Sequence, residues 1–183
     1  MSFGNLPVSL TDLRVAPLNA DGTYGTAVQD SHGRILTITP NMTTAKVKAY
    51  GKTAAVAAIV EDANVALEGG GYSWDVLAVV AGATVTESGV TPAQEKSAPI
   101  AAGSNLSYWG VVGKALGDDG GDIHVGCPKV KLTKMPETKM DGDGNAFVTG
   151  NMEGLAIADD SGYVIYPLAH ETAGAIDFTE IFA

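Results

Sequence analysis

Hydrophobic and polar residues alternate along most of this chain with the two-residue period of β-strands. Between residues 45 and 50, for example, Lys46 and Lys48 alternate with Val47 and Ala49, and successive side chains of a strand point to opposite faces. Gly- and Asp-rich turns such as residues 117–121 separate the runs, which favours antiparallel hairpins. Eight runs follow the pattern: 13–18, 34–40, 45–50, 106–116, 123–134, 146–152, 155–158 and 163–168. The sequence predicts a mainly β protein, a sandwich or barrel.

Two segments fit the alternation less well. Residues 54–67 read AAVAAIVEDANVAL; their alanine content favours a helix, but 63–67 alternates and ends at three glycines. We predict a strand over 63–67 and leave 54–60 undecided. Residues 83–105 form a long connection, which in a compact domain usually crosses another element or lies on a neighbour.

One short helix is predicted at about 73–82, running from Trp74 to Ala81. Ser73 is a good N-cap, Asp75 lies in the first turn, and Gly82 follows the last apolar residue as a stop signal. Only Asp75 interrupts an otherwise apolar surface, so the helix must be covered on more than one side. This predicts contact with another subunit, and the candidate residues are Trp74, Val76, Leu77 and Val80.

Length and charge narrow the possible functions. The chain has 183 residues, which suits one domain over 1–183, with terminal arms at about 1–10 and 171–183. Eleven basic against 21 acidic residues give a net charge of −10, which argues against wrapping nucleic acid, since phosphate binding depends on Lys and Arg. Acid collects after residue 117, where 12 acidic residues face four basic ones.

The composition also favours an oligomer. Charged residues are 17% of the chain and apolar ones 45%, so charge covers the surface thinly and part of it is expected to be interface. No apolar run approaches 18 residues, so no membrane span or membrane binding is expected. The opening MSFGNLPVSL lacks a signal-peptide pattern and Cys127 has no partner in the chain, so we do not expect a secreted, disulfide-linked product.

The motifs that could support catalysis or nucleotide binding are incomplete. The segment GYSWD at 71–75 nearly forms a nucleophile elbow, but Asp75 stands where glycine is needed and capping already explains Ser73. The glycines at 69–71 lack the residues that complete a phosphate-binding loop. We therefore expect neither an enzyme nor a nucleotide cofactor.

Two metal motifs are also weak. His124 and Cys127 are three residues apart on a predicted strand, so they point to opposite faces, and a core role for Cys127 is preferred over zinc binding. The segment DGDGN at 141–145 resembles the start of a calcium loop, but Ala146 and Met152 stand where Gly and Glu are required. A tight acidic turn is the preferred interpretation, with a weak calcium site as the alternative.

The order of these features resembles the major tail tube proteins of long-tailed bacteriophages. The resemblance covers about residues 10–170. It runs through a strand, three glycines, the short helix ending VAG, Thr91-Pro92, YWGVVGK at 108–114, the turn DDGGD, the strand HVGCPKVKLT and a later strand with GNMEGLAIA.

That resemblance implies a β-sandwich with a flanking helix, assembled as hexameric rings that stack into a hollow tube. The inner wall would be a continuous β-barrel through which genome DNA passes. Partners would be copies of the chain, other tail proteins (terminator, tip or baseplate, tape measure) and, transiently, double-stranded DNA. The location would be the virion tail, after assembly in the host cytoplasm. No cofactor and no catalysis are implied.

Acidic charge suits a channel through which DNA passes, because Lys and Arg in the wall would bind the DNA phosphates and hold the DNA in place. We expect acids of the C-terminal third to contribute to the lumen or its rims; the alternative for each is ordinary turn chemistry on the outer surface. The candidates are Asp118, Asp119, Asp141, Asp143, Asp159 and Asp160. A hairpin turning at residues 40–44 and continuing to Thr53 is the candidate contact with the adjacent ring, through Met42, Lys46, Lys48 and Lys52.

Two other functions stay open. A capsid decoration protein would also be β-rich and oligomeric but would not form tubes. A non-viral ligand-binding β-sandwich would be a monomer with an aromatic or polar patch, and only 12 aromatic residues argue mildly against it.

Overall fold

The computed structural model describes residues 7–50, 52–71, 73–118, 120–136 and 150–182. The protein is mainly β, as the alternation predicted, with a large antiparallel sheet and two short helices. Neither helix is long and apolar enough, in the part of the chain described, to span a membrane. In chain order the elements are β1 Pro7–Pro17, β2 Val28–Gln29, β3 Gly33–Ala49, β4 Lys52–Gly69, α1 Trp74–Ala81, β5 Thr86–Ser88, β6 Glu95–Ser97, β7 Trp109–Gly117, β8 Asp122–Lys134, β9 Gly150–Ile157, β10 Tyr166–His170 and α2 Phe178–Ile181.

The main sheet has the strand order β2-β1-β7-β8-β9-β4-β3, and all its described pairs are antiparallel. Strand β8 changes partner along its length. Its first half, from Asp122 to Gly126, pairs with β10, whereas from Lys129 onward it pairs with β9. This exchange divides the sheet into a β1–β7–β8 half and a β9–β4–β3 half that pack face to face. Strands β5 and β6 form a separate small hairpin.

The main core lies between the two halves, and a glycine allows them to approach closely. A Cβ atom at Gly113 of β7 would lie 2.6 Å from Leu36 Cδ2 of β3 and 3.2 Å from Leu10 Cδ1 of β1. Because residue 113 has no side chain, Leu36 can pack directly against the backbone of β7. The buried core comprises Leu13, Val15, Ala63, Val65, Leu67, Val76, Val80, Trp109, Val111, Cys127, Val130, Leu132, Met152, Ala156 and Val164.

The outer face of the β1–β7–β8 half is covered by the C-terminal segment, residues 171–182. Successive residues of β7 face opposite sides, so Val111 lies in the main core and Val112 lies on the opposite face, where it packs with Phe178 and Ile181. Tyr24 packs its ring 5.3 Å from that of Phe178 and donates a hydrogen bond to the Pro128 carbonyl at 2.9 Å. Burial raises the pKa of Tyr24, so its hydroxyl stays a hydrogen-bond donor.

Helix α1 has the bounds that its capping residues predicted. The Ser73 hydroxyl accepts a hydrogen bond from the Asp75 N–H, and Gly82 ends the helix with a left-handed φ of 61°, a conformation that costs glycine little. The buried residues Val76 and Val80 join the main core, and the helix contacts β1, β2 and β8.

Several predicted boundaries were wrong. No turn interrupts residues 40–44, because β3 runs unbroken from Gly33 to Ala49; the hairpin turns instead after Ala49. Pro40 is compatible with a strand here because β3 lies at the edge of the sheet. The undecided residues 54–60 belong to β4. The parts of the runs 146–152 and 155–158 that are described lie in one strand, β9, Gly150–Ile157; residues 146–149 lie outside the described residues.

We expect Gly113→Ala to destabilise the fold by about 1–3 kcal/mol, because the new methyl group must displace Leu36 and Leu10 from a packed interface. Chemical denaturation measures the change. Gly70→Ala is the matched control: its Cβ would lie 3.6 Å from the nearest atom, on the Arg34 side chain, so its effect should stay within about 0.5 kcal/mol. Equal effects of the two substitutions would contradict this packing.

Candidate assembly surface

The β3–β4 hairpin continues well past the rest of the sheet. From Ile35 opposite Glu68 its register is regular to Asn41 opposite Asp62, but the next pair is Met42 opposite Val60, so Glu61 is an extra residue, a β-bulge. Strand β4 pairs with β9 only from Ala63 onward. We call residues 42–60, beyond this bulge, the arm. In the part of the chain described, the two strands of the arm pair only with each other.

The bulge marks a change in the chemistry of the hairpin's outer face. The two cross-strand pairs nearest the bulge on this face are polar, with Thr39 opposite Asn64 and Asn41 opposite Asp62; Asn41 donates a hydrogen bond to Asp62 at 2.6 Å. From the bulge to a second register shift between Val47 and Lys48, the same face carries no charge and, apart from one threonine, only apolar side chains: Thr43, Ala45, Val47, Ala55, Ala57 and Ile59.

The arm's inner face continues the core face of the hairpin. Leu36 and Ile38 pair with Leu67 and Val65 on the core side, and the alternation of β3 carries this side into the arm. There it consists of Met42, Thr44, Lys46, Val56, Ala58 and Val60 and, after a second register shift, Lys48 opposite Thr53. Both faces of the arm therefore present apolar side chains.

Every described side chain of the arm is exposed. Of the twelve large hydrophobic side chains exposed among the described residues, six lie in these 19 residues: Met42, Val47, Tyr50, Val56, Ile59 and Val60. A two-stranded ribbon with two solvated faces is at best marginally stable in water. Both its outer backbone edges also lack a partner strand within the described residues, which makes them templates for strand addition.

The arm is basic, unlike the rest of the chain. Lys46, Lys48 and Lys52 lie in residues 42–60 and no acid does, which leaves −13 on the remainder of a chain whose total is −10. Met42, Lys46 and Lys48 are exposed, and the side chain of Lys52 lies outside the described part. The predicted hairpin residues thus share one projection, although its turn lies further along than expected.

The predicted helix surface is mostly covered by the subunit itself. Val76, Leu77 and Val80 are buried, and only Trp74 of the predicted set is exposed. The apolar surface around the helix predicted contact with another subunit, but strands β1, β2 and β8 of the same subunit cover most of it. Contact of this helix with a neighbour stays a prediction, and Trp74 is the residue available for it.

The predicted lumen acids occupy different environments. Asp118 is exposed beside the β7–β8 turn. Asp159 accepts hydrogen bonds from the backbone of Ser161 and Tyr163 and from the Tyr166 hydroxyl, which is turn chemistry. The Asp160 side chain is 95% exposed, and Lys129 lies 3.7 Å away. Asp119, Asp141 and Asp143, with the calcium-like segment 141–145, lie outside the described residues. Placement of these acids in a lumen stays a prediction.

A buried ionic cluster centred on Asp122 ties the C-terminal segment to the sheet. The Asp122 carboxylate lies 3.1 Å from Lys114 Nζ and 2.8 Å from His170 Nδ1, and it accepts the Gly174 N–H at 2.8 Å. Lys114 also donates to the Gly174 carbonyl. Burial alone would raise the pKa of Asp122, but these donors outweigh it and hold that pKa well below its usual range.

Sequence reasoning missed this cluster because its members come from β7, β8, β10 and the C-terminal segment. The available signal was the spacing of Asp122 and His124, which places both on one face of a strand. His124 was considered only with Cys127, and the expectation that these two face opposite sides is confirmed: Cys127 lies opposite Val111 in the main core, whereas His124 lies opposite Lys114. Burial raises the pKa of Cys127 to about 12, so this thiol stays protonated.

The cluster is better explained as an ion-pair network than as a metal site. Ligand atoms of Asp122, His124 and His170 lie within 4.8 Å of one another, and this donor set suits a divalent transition metal. However, the Lys114 ammonium and the Gly174 N–H already occupy acceptor positions of the carboxylate. A metal ion would have to displace a cation that is already paired.

Comparison with known proteins assigns no family to this chain. No protein-family model matches it, and no curated protein is significantly similar to it in sequence.

We expect the protein to become less stable at acidic pH because of His124. Burial lowers the pKa of His124, although Asp122 opposes the shift. The unfolded chain therefore binds a proton below about pH 6.5 that the folded chain resists. The free energy of unfolding should fall by up to about 1.4 kcal/mol per pH unit below that value. Denaturant titrations between pH 7.5 and 4.5 measure it, and His124→Gln should flatten the slope. An unchanged slope in this variant would contradict the assignment.

Proposed function

We propose that this chain is the structural subunit of a phage tail tube, forming hexameric rings that stack into a negatively charged conduit for DNA. The observation that carries the proposal is the arm, whose outer face turns from polar to apolar at the Glu61 bulge. A protein that functions as a monomer has no reason to expose this ribbon, whereas copies of the chain can bury it.

Pairing between copies follows from the directions of the two arm strands. Strands β3 and β4 are antiparallel, so the free edge of β4 in one subunit meets the free edge of β3 in the next with the antiparallel sense preserved. The two surfaces of this contact differ, so it is heterologous and closes into a ring when the rotation per subunit is suitable. Ring closure removes every free edge, as in a barrel. Twelve strands from six subunits would line the wall.

The charge distribution suits a conduit. Each chain carries a net charge of −10, to which the arm contributes +3 and the remainder −13, so the assembled tube as a whole repels phosphate, which favours hydrated and mobile DNA inside it. In this proposal the subunit acts in the virion tail, after assembly in the host cytoplasm. It binds its own copies and the other tail proteins that end and cap the tube, and it catalyses nothing.

Replacement of residues 42–61, the arm together with the bulged Glu61, by Asn-Gly tests the proposal. The two residues form a tight hairpin loop, and the sheet from Gly33 to Asn41 and from Asp62 to Gly69 stays intact. We expect a folded protein that no longer assembles, measured by circular dichroism, sedimentation velocity and negative-stain electron microscopy. The unaltered chain should form tubes when concentrated. Tubes formed by the shortened chain would refute the role of the arm, and trimers or capsid-like lattices of the unaltered chain would favour a decoration protein.

A point substitution tests the apolar face alone. Ile59→Lys places a charge in the middle of that face, so we expect assembly to require at least about tenfold more protein, because a buried unpaired charge is costly. Ser31→Lys adds the same charge at an exposed turn of the body and serves as the matched control. Equal assembly of both variants, each with an unchanged melting temperature, would show that this face is not buried.

A further inference from the structure

We propose that residues 171–182, which we call the strap, separate from the outer face of the β1–β7–β8 half at acidic pH while the main core stays folded. The strap belongs to a single subunit, so its release does not depend on the proposed function. Acid is the trigger because the strap covers a histidine, His124, that has cationic groups on two sides.

Few hydrogen bonds attach the strap to the sheet. In the described part of the chain no backbone ladder joins the two, and the strap's hydrogen bonds to the sheet are both at Gly174, whose N–H donates to Asp122 and whose carbonyl accepts from Lys114. Glu180 also lies 3.5 Å from His170 Nε2. Ordering such a segment costs conformational entropy that only a few buried side chains offset. Segments of this kind open locally at a lower free-energy cost than the whole domain.

One end of the covered face is apolar and receives two aromatic rings of the strap. A Cβ atom at Gly110 of β7 would lie 3.2 Å from Phe178 Cε1, and one at Gly126 of β8 would lie 2.8 Å from Phe182 Cζ. Both rings therefore pack close to the strand backbone, beside Val112. None of these groups titrates near neutral pH, so this end of the strap does not respond to acid by itself.

The other end of the face is charged, and His124 lies within it. Lys114 is the cross-strand partner of His124, so both project to the side that carries Val112, under the strap. The His124 ring is fully buried, and neither of its nitrogens makes a hydrogen bond of good geometry, although Nε2 lies 3.2 Å from Asp122 Oδ2. Opening of the strap exposes this ring to water.

A protonated His124 would add a cation that the closed cluster cannot neutralise. Among the described residues, the titratable groups that face it are Asp122 from its own strand, Lys114 from β7 and His170 from β10, whose ring centre is 4.8 Å away; Glu180 of the strap lies beyond His170. Asp122 already pairs with Lys114 at 3.1 Å and with His170 at 2.8 Å. An uncompensated buried charge is costly, and burial lowers the pKa of His124 in the closed form.

The proton is therefore taken up by the open form. Opening moves Gly174 away from Asp122 and Lys114 and brings water to His124, where the ordinary pKa of histidine is about 6.5. Each pH unit below this value then favours the open form by up to about tenfold. The main core lies on the opposite face of the same strands and keeps its packing.

Amide hydrogen exchange at pH 7.5 and 5.0, corrected for the intrinsic pH dependence of exchange, tests the release. The amides of Gly174, Ile181 and Phe182 donate hydrogen bonds in the closed strap, and we expect their opening constant to rise about tenfold at the lower pH. The ladder between β4 and β9 is the reference in the same molecule. At both pH values the strap should open at least about tenfold more often than this ladder. Equal opening constants in strap and ladder would show global unfolding and would overturn the proposal.

Histidine variants assign the proton. His124→Gln should give the same opening of the strap at both pH values. His170→Gln, which removes the neighbouring imidazole of the same cluster, is the matched control and should keep the ratio between the two pH values, as should His32→Gln at an exposed turn. Because the chain has three histidines, a ratio kept in both controls assigns the proton to His124 even if His124→Gln does not fold. A ratio that persists in His124→Gln, or that disappears in either control, overturns the role of His124.

Discussion

Backbone hydrogen bonding in the β3–β4 hairpin is the constraint on which the rest of this structure depends. In the body, β4 satisfies both of its edges by pairing with β3 and β9, while apolar side chains face a closed core. In the arm the pairing partners are reduced to one and the core is lost, yet the side chains stay apolar. A ribbon of this kind gains its stability from burial against something else, and the proposed ring and stack supply that burial from identical copies.

In the proposed assembly the body keeps a fixed shape while the arm binds neighbouring copies of the chain. Strand β8 exchanges β10 for β9 along its length and so belongs to both halves of the sheet. The outer face that the exchange would leave open is covered by Phe178 and Ile181, and the Asp122 cluster fixes the chain that leads to them. Buried ion pairs of this kind add less to stability than to the uniqueness of an arrangement. Here the arrangement is the docking of residues 171–182 onto the sheet.

Much of this architecture could be predicted from local patterns. The two-residue period identified most strands, and the caps at Ser73 and Gly82 gave α1 its bounds, because both signals act over a few residues. The β3–β4 hairpin was more difficult to predict from local patterns. Residues 40–44 contain Pro, Asn and two Thr, which favour a turn, yet the pairing of Asn41 with Asp62 keeps β3 extended. The alanines of 54–60 favour a helix locally, and the ladder with β3 overrides them.

The candidate surfaces depended on longer-range relations. The helix looked like an interface because its circumference is apolar, but which sides a domain covers for itself depends on strands distant in sequence. The Asp122 cluster joins residues up to 60 positions apart, and no local pattern predicts such a meeting. The change in the outer face at residue 61 also needed the register, since the strand sequence alone does not show which of its residues share a face with β3.

The single extra residue at Glu61 sets the phase of β4 as far as Ala55, where a second register shift follows. If Glu61 instead paired regularly with Met42, the alternation of β4 would turn Ile59 and Ala57 toward the side of the core, and the apolar outer face and the mixed inner face of the ribbon would exchange residues. Evolution can therefore lengthen or shorten the ribbon only in whole pleats, two residues on each strand, if the two faces are to keep their chemistry. The length of the arm can then change with the number of pleats, while the chemistry of its two faces depends on the one inserted residue.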